Sequence, residues 1–254
     1  MARTVADVAL MLSVLAGPDP RSPIAIAEDG ARFRRPLGRD FKGVRIAWSK
    51  GMGLPFAPAV KKAIDAQRTV FESLGCVVEE AEPDFTGADE VFKTLRAWNY
   101  ESTLNEEYAK HKDQLKDTVV WNIEAGRKLT GPQIGRAEVL RTALYHRVRE
   151  FMERYEFFLL PVVQVLPFDV KTDWPREIDG VKMETYIDWM QSCYFISAVG
   201  NPALSVPCAF TAEGLPIGLQ IVGRHQVDWG VLQLGHALEQ ATGLWTRKPE
   251  IAAN

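Results

Sequence analysis

The chain has 254 residues, 46% of them hydrophobic and 25% charged, with a formal net charge of -3. That length holds one large α/β domain or at most two average ones, and the composition excludes a disordered or low-complexity chain. The absence of any basic run argues against a nucleic-acid binder, and no apolar stretch reaches the roughly 18 residues that span a bilayer.

The first element is a helix over about Val5 to Ala16. Thr4 and Asp7 have the spacing of an N-cap and its acidic partner. Arg3 followed by Val8–Ala16, with Val14 and Ala16 spaced like a signal-peptidase site, also resembles a short secretory signal. Asp7 beside the apolar run favours the helix. Val5, Val8, Ala9, Leu10, Met11, Leu12, Val14 and Leu15 make it apolar nearly all round, so it belongs under cover on more than one side. Gly17-Pro18-Asp19-Pro20 stops it, and a polar loop runs to about Lys42.

A β-α-β unit follows. Val44, Ile46 and Trp48 alternate as a strand, Pro58–Leu74 reads as one helix with Val60, Ile64, Phe71 and Leu74 on a face, and Cys76–Glu79 is the second strand. From about Ala88 to Tyr155 the pattern is helical, broken near Lys112 and at Thr130-Gly131-Pro132. Phe157–Val163 is a continuous apolar run, as expected of a strand buried on both faces. Pro167–Gly180 is loop, and Met183–Val199 is a helix halted by Gly200-Asn201-Pro202. Leu204–Phe210 and Ile217–Val222 are strands around a Gly214-Leu215-Pro216 turn, and Asp228–Ala241 is the last helix. The predicted class is α/β, a mixed β-sheet flanked by helices.

Three chemistries can be sought along this pattern. Gly51 and Gly53 after a strand, with Glu79 and Glu80 ending the next, sketch a dinucleotide site. Phe56 stands where the third glycine belongs, however, and Pro55 has no N–H to offer a phosphate. A structural unit accounts better for the pattern. Cys193 or Cys208 with His225 as base sketches a thiol nucleophile, yet one lies on an apolar helix face and the other in a strand, where core thiols are the simpler reading. Three scattered cysteines (Cys76, Cys193, Cys208) form neither a disulfide framework nor a zinc cage, and they suit a reducing cytoplasm. His111, His146, His225 and His236 are dispersed without metal-ligand spacing. No Gly-x-Ser-x-Gly, Ser-x-x-Lys or Ser-Ser pair occurs. No metal site and no cofactor site is expected.

One resemblance covers nearly the whole chain. Met1-Ala2-Arg3-Thr4-Val5-Ala6-Asp7 with Leu10, Leu12 and Leu15-Ala16-Gly17-Pro18-Asp19-Pro20 resembles a segment of the amidase signature family. So do Arg141…Phe151…Phe158-Leu159-Leu160-Pro161, Gly200-Asn201-Pro202-Ala203-Leu204-Ser205-Val206-Pro207, and Asp228…Leu232…Leu234. The most specific stretch is Gly214-Leu215-Pro216-Ile217-Gly218-Leu219-Gln220-Ile221-Val222-Gly223. The resemblance implies hydrolysis of a carboxylic amide to acid plus ammonia or amine, through a serine acyl-enzyme. It also implies that the family's lysine, bridging serine and nucleophilic serine precede the segment that begins here at Met1. Neither Lys50 nor Ser205 falls at those positions. Residues 1–254 are therefore expected to be the carboxyl-terminal part of a single amidase-like domain, inactive by itself. The alternative is a non-catalytic partner, or half of a split enzyme that pairs with a serine-bearing half.

The remaining expectations follow from both readings. Tyr186, Met190, Cys193, Tyr194 and Ser197 would share one face of the Met183–Val199 helix, either as core or as the wall of a pocket. Mixed apolar bodies and polar tips favour the wall, as does the loop Pro167–Gly180 before it. Tyr186, Trp189, Met190, Cys193 and Tyr194 are the candidate substrate-binding residues. The expected partner is a small amide substrate in the complete enzyme, with neither nucleic acid nor membrane. Homodimerisation or self-association through exposed apolar surface is expected of the isolated chain.

Overall fold

The computed structural model describes residues 1–247. Its centre is a five-stranded mixed sheet. Strands β1 (Arg45–Trp48), β2 (Val77–Glu80) and β3 (Phe157–Pro161) are parallel. Strands β6 (Ala203–Phe210) and β7 (Pro216–Gly223) form a hairpin that joins β3 in antiparallel fashion. The order across the sheet is β2-β1-β3-β7-β6. Every residue of β3 is buried, as its unbroken apolar run predicts. Phe157 and Leu159 enter one core and Phe158 and Leu160 the other, because successive strand side chains point to opposite faces.

The first core lies under α1 (Val5–Leu15), α2 (Pro58–Asp65), α3 (Arg68–Ser73) and α8 (Asp228–Thr242). The second lies under α4 (Ala88–His111), α6 (Gly131–Arg154) and α7 (Gln191–Val199), with α5 (Asp117–Arg127) packed on α4. The architecture is thus α/β, a mixed sheet between two helical layers.

Helix α1 begins as its capping residues predict. Thr4 Oγ1 accepts from the Asp7 N–H at 3.0 Å, and the Glu239 carboxylate of α8 accepts from the Val5 N–H at 2.9 and 3.0 Å. Only Val5, Ala9 and Ser13 of this helix are buried. Leu10, Val14 and Leu15 stand 60%, 73% and 74% exposed, so the covering that its composition calls for is incomplete.

Two expected helices are divided. The Pro58–Leu74 helix breaks at Ala66-Gln67, where the N–H groups of Gln67 and Val70 bond three residues back, to Ile64 and Gln67, and tighten the turn. The Met183–Val199 helix is confined to α7. Ahead of it, β4 (Glu177–Ile178) and β5 (Val181–Lys182) form a small hairpin about Asp179-Gly180, both at positive φ as a type I′ turn requires. Asp188 then holds the N–H groups of Glu184 and Thr185 on its carboxylate, diverting them from helical bonding, and a single 3₁₀ turn spans Asp188–Met190.

Candidate functional site

The helical layer formed by α4, α6 and α7 leaves β6, the edge strand, uncovered. Val206 and Cys208 are buried on the α8 side, whereas Ala203, Ser205 and Pro207, pointing the other way, are exposed. Ser205 pairs with Gln220 and Pro207 with Gly218 on β7. Gln220 is 5% exposed, and among the described residues its Oε1 has no hydrogen-bond partner. A Cβ at Gly218 would lie 2.9 Å from Val162 Cγ2 and 3.2 Å from Ser205 Oγ, so glycine keeps this part of the face low. Helix α7 leads directly into β6 and keeps Cys193 partly exposed and Ser197 exposed.

Tyr186, Met190, Cys193, Tyr194 and Ser197 do not share one helix face, because Tyr186 and Met190, with Trp189 between them, precede α7. These three belong to a strap, residues 174–190, that crosses α4 and α5. The Tyr186 hydroxyl accepts from Arg96 Nη2 at 2.9 Å and from Asn122 Nδ2 at 2.6 Å. Trp189 packs edge-on against Phe168, and Met190 is half-buried against the second core. Tyr194 is 1% exposed, stacked on Phe92 at 4.2 Å and donating its hydroxyl to Asp89. Its side chain is therefore part of the second core rather than an accessible surface. Burial and the Asp89 charge raise its phenol pKa.

A half-buried ionic group fixes the strap. Lys93 Nζ lies 3.0 Å from both Asp89 and Asp188, and Asp188 also accepts from the Thr185 hydroxyl at 2.8 Å. Burial pulls the Lys93 pKa down, but the two carboxylates outweigh it and hold the ammonium above its ordinary value. Gln164, fully buried, accepts from the Gln191 N–H at 2.7 Å and donates to the Pro55 carbonyl at 3.1 Å. It thereby ties the start of α7 to the loop after β1. Arg96, Asn122 and Asp188 are absent from the sequence reading. Asp89 and Lys93 are absent from it too, although their i, i+4 spacing on a helix is a readable signal for the pair.

The other candidate chemistries meet specific obstacles. In the loop after β1, the N–H groups of Lys50 and Met52 are already held by the Glu82 carboxylate, at 2.5 and 3.0 Å, where a dinucleotide phosphate would have to sit. Burial pushes the Cys76 thiol up to about 11 and the Cys208 thiol to about 12, and it also raises Cys193. Among the described residues no serine or cysteine hydrogen-bonds to a lysine or histidine. Among them also, no three His, Cys, Asp or Glu side chains are placed to hold a metal ion, and no helix is long and apolar enough to cross a membrane.

Comparison with known proteins gives consistent matches. The family model described as Amidase matches residues 1–232. The acylamidase of Rhodococcus erythropolis is 30% identical over 97% of this chain and 52% of its own length. An amidase of Pseudomonas putida is 28% identical over 98% of this chain and 54% of its own length. The crystal structure of a bacterial aryl acylamidase of the amidase signature family superposes with a TM-score of 0.84 at 26% identity, covering 96% of this chain and 52% of that one. The chain spans about half the length of these relatives, 52–54%.

Proposed function

The chain belongs to the amidase family, and from that membership we propose that it supplies the substrate-facing half of an amide hydrolase. In this reading residues 1–254 are the carboxyl-terminal part of one amidase-like domain in a cytoplasmic enzyme, and polypeptide outside them carries the lysine and the two serines. The serine oxygen adds to the amide carbonyl carbon, the amine leaves with a proton delivered through the lysine and bridging serine, and water releases the acid from the acyl-enzyme. Backbone N–H groups hold the oxyanion.

The observation that carries the reading is the family match across residues 1–232. The uncovered face of β6, the strand that follows α7 in the chain, supports the place of the wall. Tyr186, Trp189, Met190 and Cys193 form that wall, and Tyr194 holds it from behind. A small acyl amide, the class that the name of the acylamidase relative indicates, suits such a mixed aromatic and thioether lining.

The test is reconstitution. The chain, joined to or mixed with an amidase-family polypeptide bearing the lysine and both serines, should release p-nitroaniline from p-nitroacetanilide, whereas the chain alone should not. Trp189→Ala and Met190→Ala should then shift relative rates across aryl and alkyl amides while the melting temperature holds. Hydrolysis by the chain alone, lost on mutating a residue within 1–254, would overturn the reading.

A second reading, a partner without chemistry of its own, draws on the exposed apolar residues of α1 and the open edge of β6. Both surfaces favour association with another polypeptide or with a second copy.

A further inference from the structure

Between α5 and the strap lies a cavity of about 280 Å³ that shares only Tyr186 with the proposed substrate wall. Its lining includes three aromatic rings, Trp121, Trp174 and Tyr186, and two carboxylate residues, Asp117 and Glu184, with no lysine or arginine among the lining residues. Trp121 and Tyr186 meet edge-on, 5.8 Å between ring centres and 86° between planes, so two walls stand at a right angle. The Tyr186 ring is fixed by the two hydrogen bonds its hydroxyl accepts from Arg96 and Asn122. Trp121 is 43% exposed, an unusual cost for so large an apolar side chain. The Arg176 guanidinium already sits 3.7 Å over the centre of Trp174, so a further cation would rely mainly on Trp121 and Tyr186.

We propose that this cavity is a binding site for an organic ammonium ion, with methyl or other alkyl groups on nitrogen. The negative faces of aromatic rings attract a cation that sheds its water easily, and alkyl groups on nitrogen lower that desolvation cost while filling apolar space. Asp117 adds direct charge attraction. Glu184 adds less, because it shares its charge with Lys182 at 3.4 Å in an exposed pair. A neutral aromatic or alkyl group would use the rings and gain nothing from Asp117. The site requires no turnover and stands whether or not the hydrolytic reading holds.

Ligand-detected NMR on the chain as it stands tests this, with choline as the cation and 3,3-dimethyl-1-butanol as its neutral isostere. Choline is expected to bind at least about tenfold more tightly than the alcohol, and Trp121→Ala to weaken it about fivefold. Asp117→Asn, on an exposed side chain, should weaken choline about threefold and reduce its salt dependence. Equal binding of choline and the alcohol would show a merely apolar cavity and overturn the proposal. So would choline binding that survives both substitutions, or no binding at millimolar choline.

Discussion

Replacing Asp188 by alanine tests whether the strap is held by the ionic group beneath it. Asp188 is 7% exposed, and its carboxylate accepts from the N–H of Glu184 at 2.9 Å, the N–H of Thr185 at 2.6 Å and the Thr185 hydroxyl at 2.8 Å. Leaving three neutral donors without that acceptor costs about 3 kcal/mol, at roughly 1 kcal/mol each. Lys93 is one-third exposed and keeps Asp89 at 3.0 Å, so losing its second partner adds at most about 1 kcal/mol. For a chain of this length the total lowers the melting temperature by about 10 °C. Asp188→Asn keeps an acceptor and should cost about half as much.

The pH dependence has a defined sign. Burial pushes the Asp188 pKa up, but the Thr185 hydroxyl and the Lys93 ammonium outweigh it and hold the group below its ordinary value. A depressed acid contributes stability that is fully present above its unfolded pKa and lost as pH falls through the folded one. The difference between parent and Asp188→Ala should therefore be level from neutrality down to about pH 5 and shrink below about pH 4. Urea unfolding at several pH values measures it, and hydrogen exchange should show residues 183–190 opening first. An alanine variant within about 0.5 kcal/mol of the parent would refute the account, as would a double-mutant cycle with Lys93→Met showing no coupling.

Other consequences are simpler to check. A Cβ at Gly126 would fall 2.2 Å from the Ala97 carbonyl oxygen and 2.7 Å from Glu101 Cβ, so Gly126→Ala should force α5 from α4 and cost about 2–3 kcal/mol. An unchanged melting temperature would contradict that packing. With Ellman's reagent at mildly alkaline pH, Cys193 should react slowly and Cys76 and Cys208 only on unfolding, because burial keeps all three thiols protonated. Prompt release of three equivalents from the native chain would be inconsistent with the core. Leu10→Gln, Val14→Glu and Leu15→Lys together should reduce light scattering by the isolated chain without lowering its stability. A parent that stays monomeric at every concentration removes the reason for the change.

Strand positions are the most legible part of this sequence. Period-two alternation, or the unbroken run in β3, locates all five strands of the main sheet, because each buries at least one face and the alternation follows it. Helix interiors are harder. Val60, Ile64 and Phe71 stay on a helical face whether or not the chain tightens at Gln67, so periodicity cannot register the break. The strap is illegible for another reason. Asp188 stabilises it by capturing backbone donors three and four residues earlier, a local contest that apolar spacing does not report. Asp179-Gly180 between Ile178 and Val181 is the available turn signal, and it identifies the β4–β5 hairpin by itself. The ionic group and the Tyr186 clasp join α4, α5 and the strap, separated by tens of residues, and no local pattern encodes such contacts.

The Gln220 oxygen, without a partner among the described residues, lies on β7 beside the edge strand β6. A buried amide carbonyl without a donor costs about 1–3 kcal/mol, a penalty usually avoided in the middle of a sheet. Around it the side chains are small: Ala203, Ser205 and Pro207 on β6, and Gly218 on β7. Small residues beside an unused acceptor let another backbone or ligand come close enough to donate. On the opposite face, Gly235 of α8 brings Val5 together with Leu204 and Val206, which places the start of α1 over the same edge strand. The exposed residues of α1, the β6 edge that is unpaired among the described residues and the Gln220 acceptor therefore belong to one flank. A polypeptide that paired with β6 would lie beside the start of α1 and bring its own groups up to the face that carries Gln220.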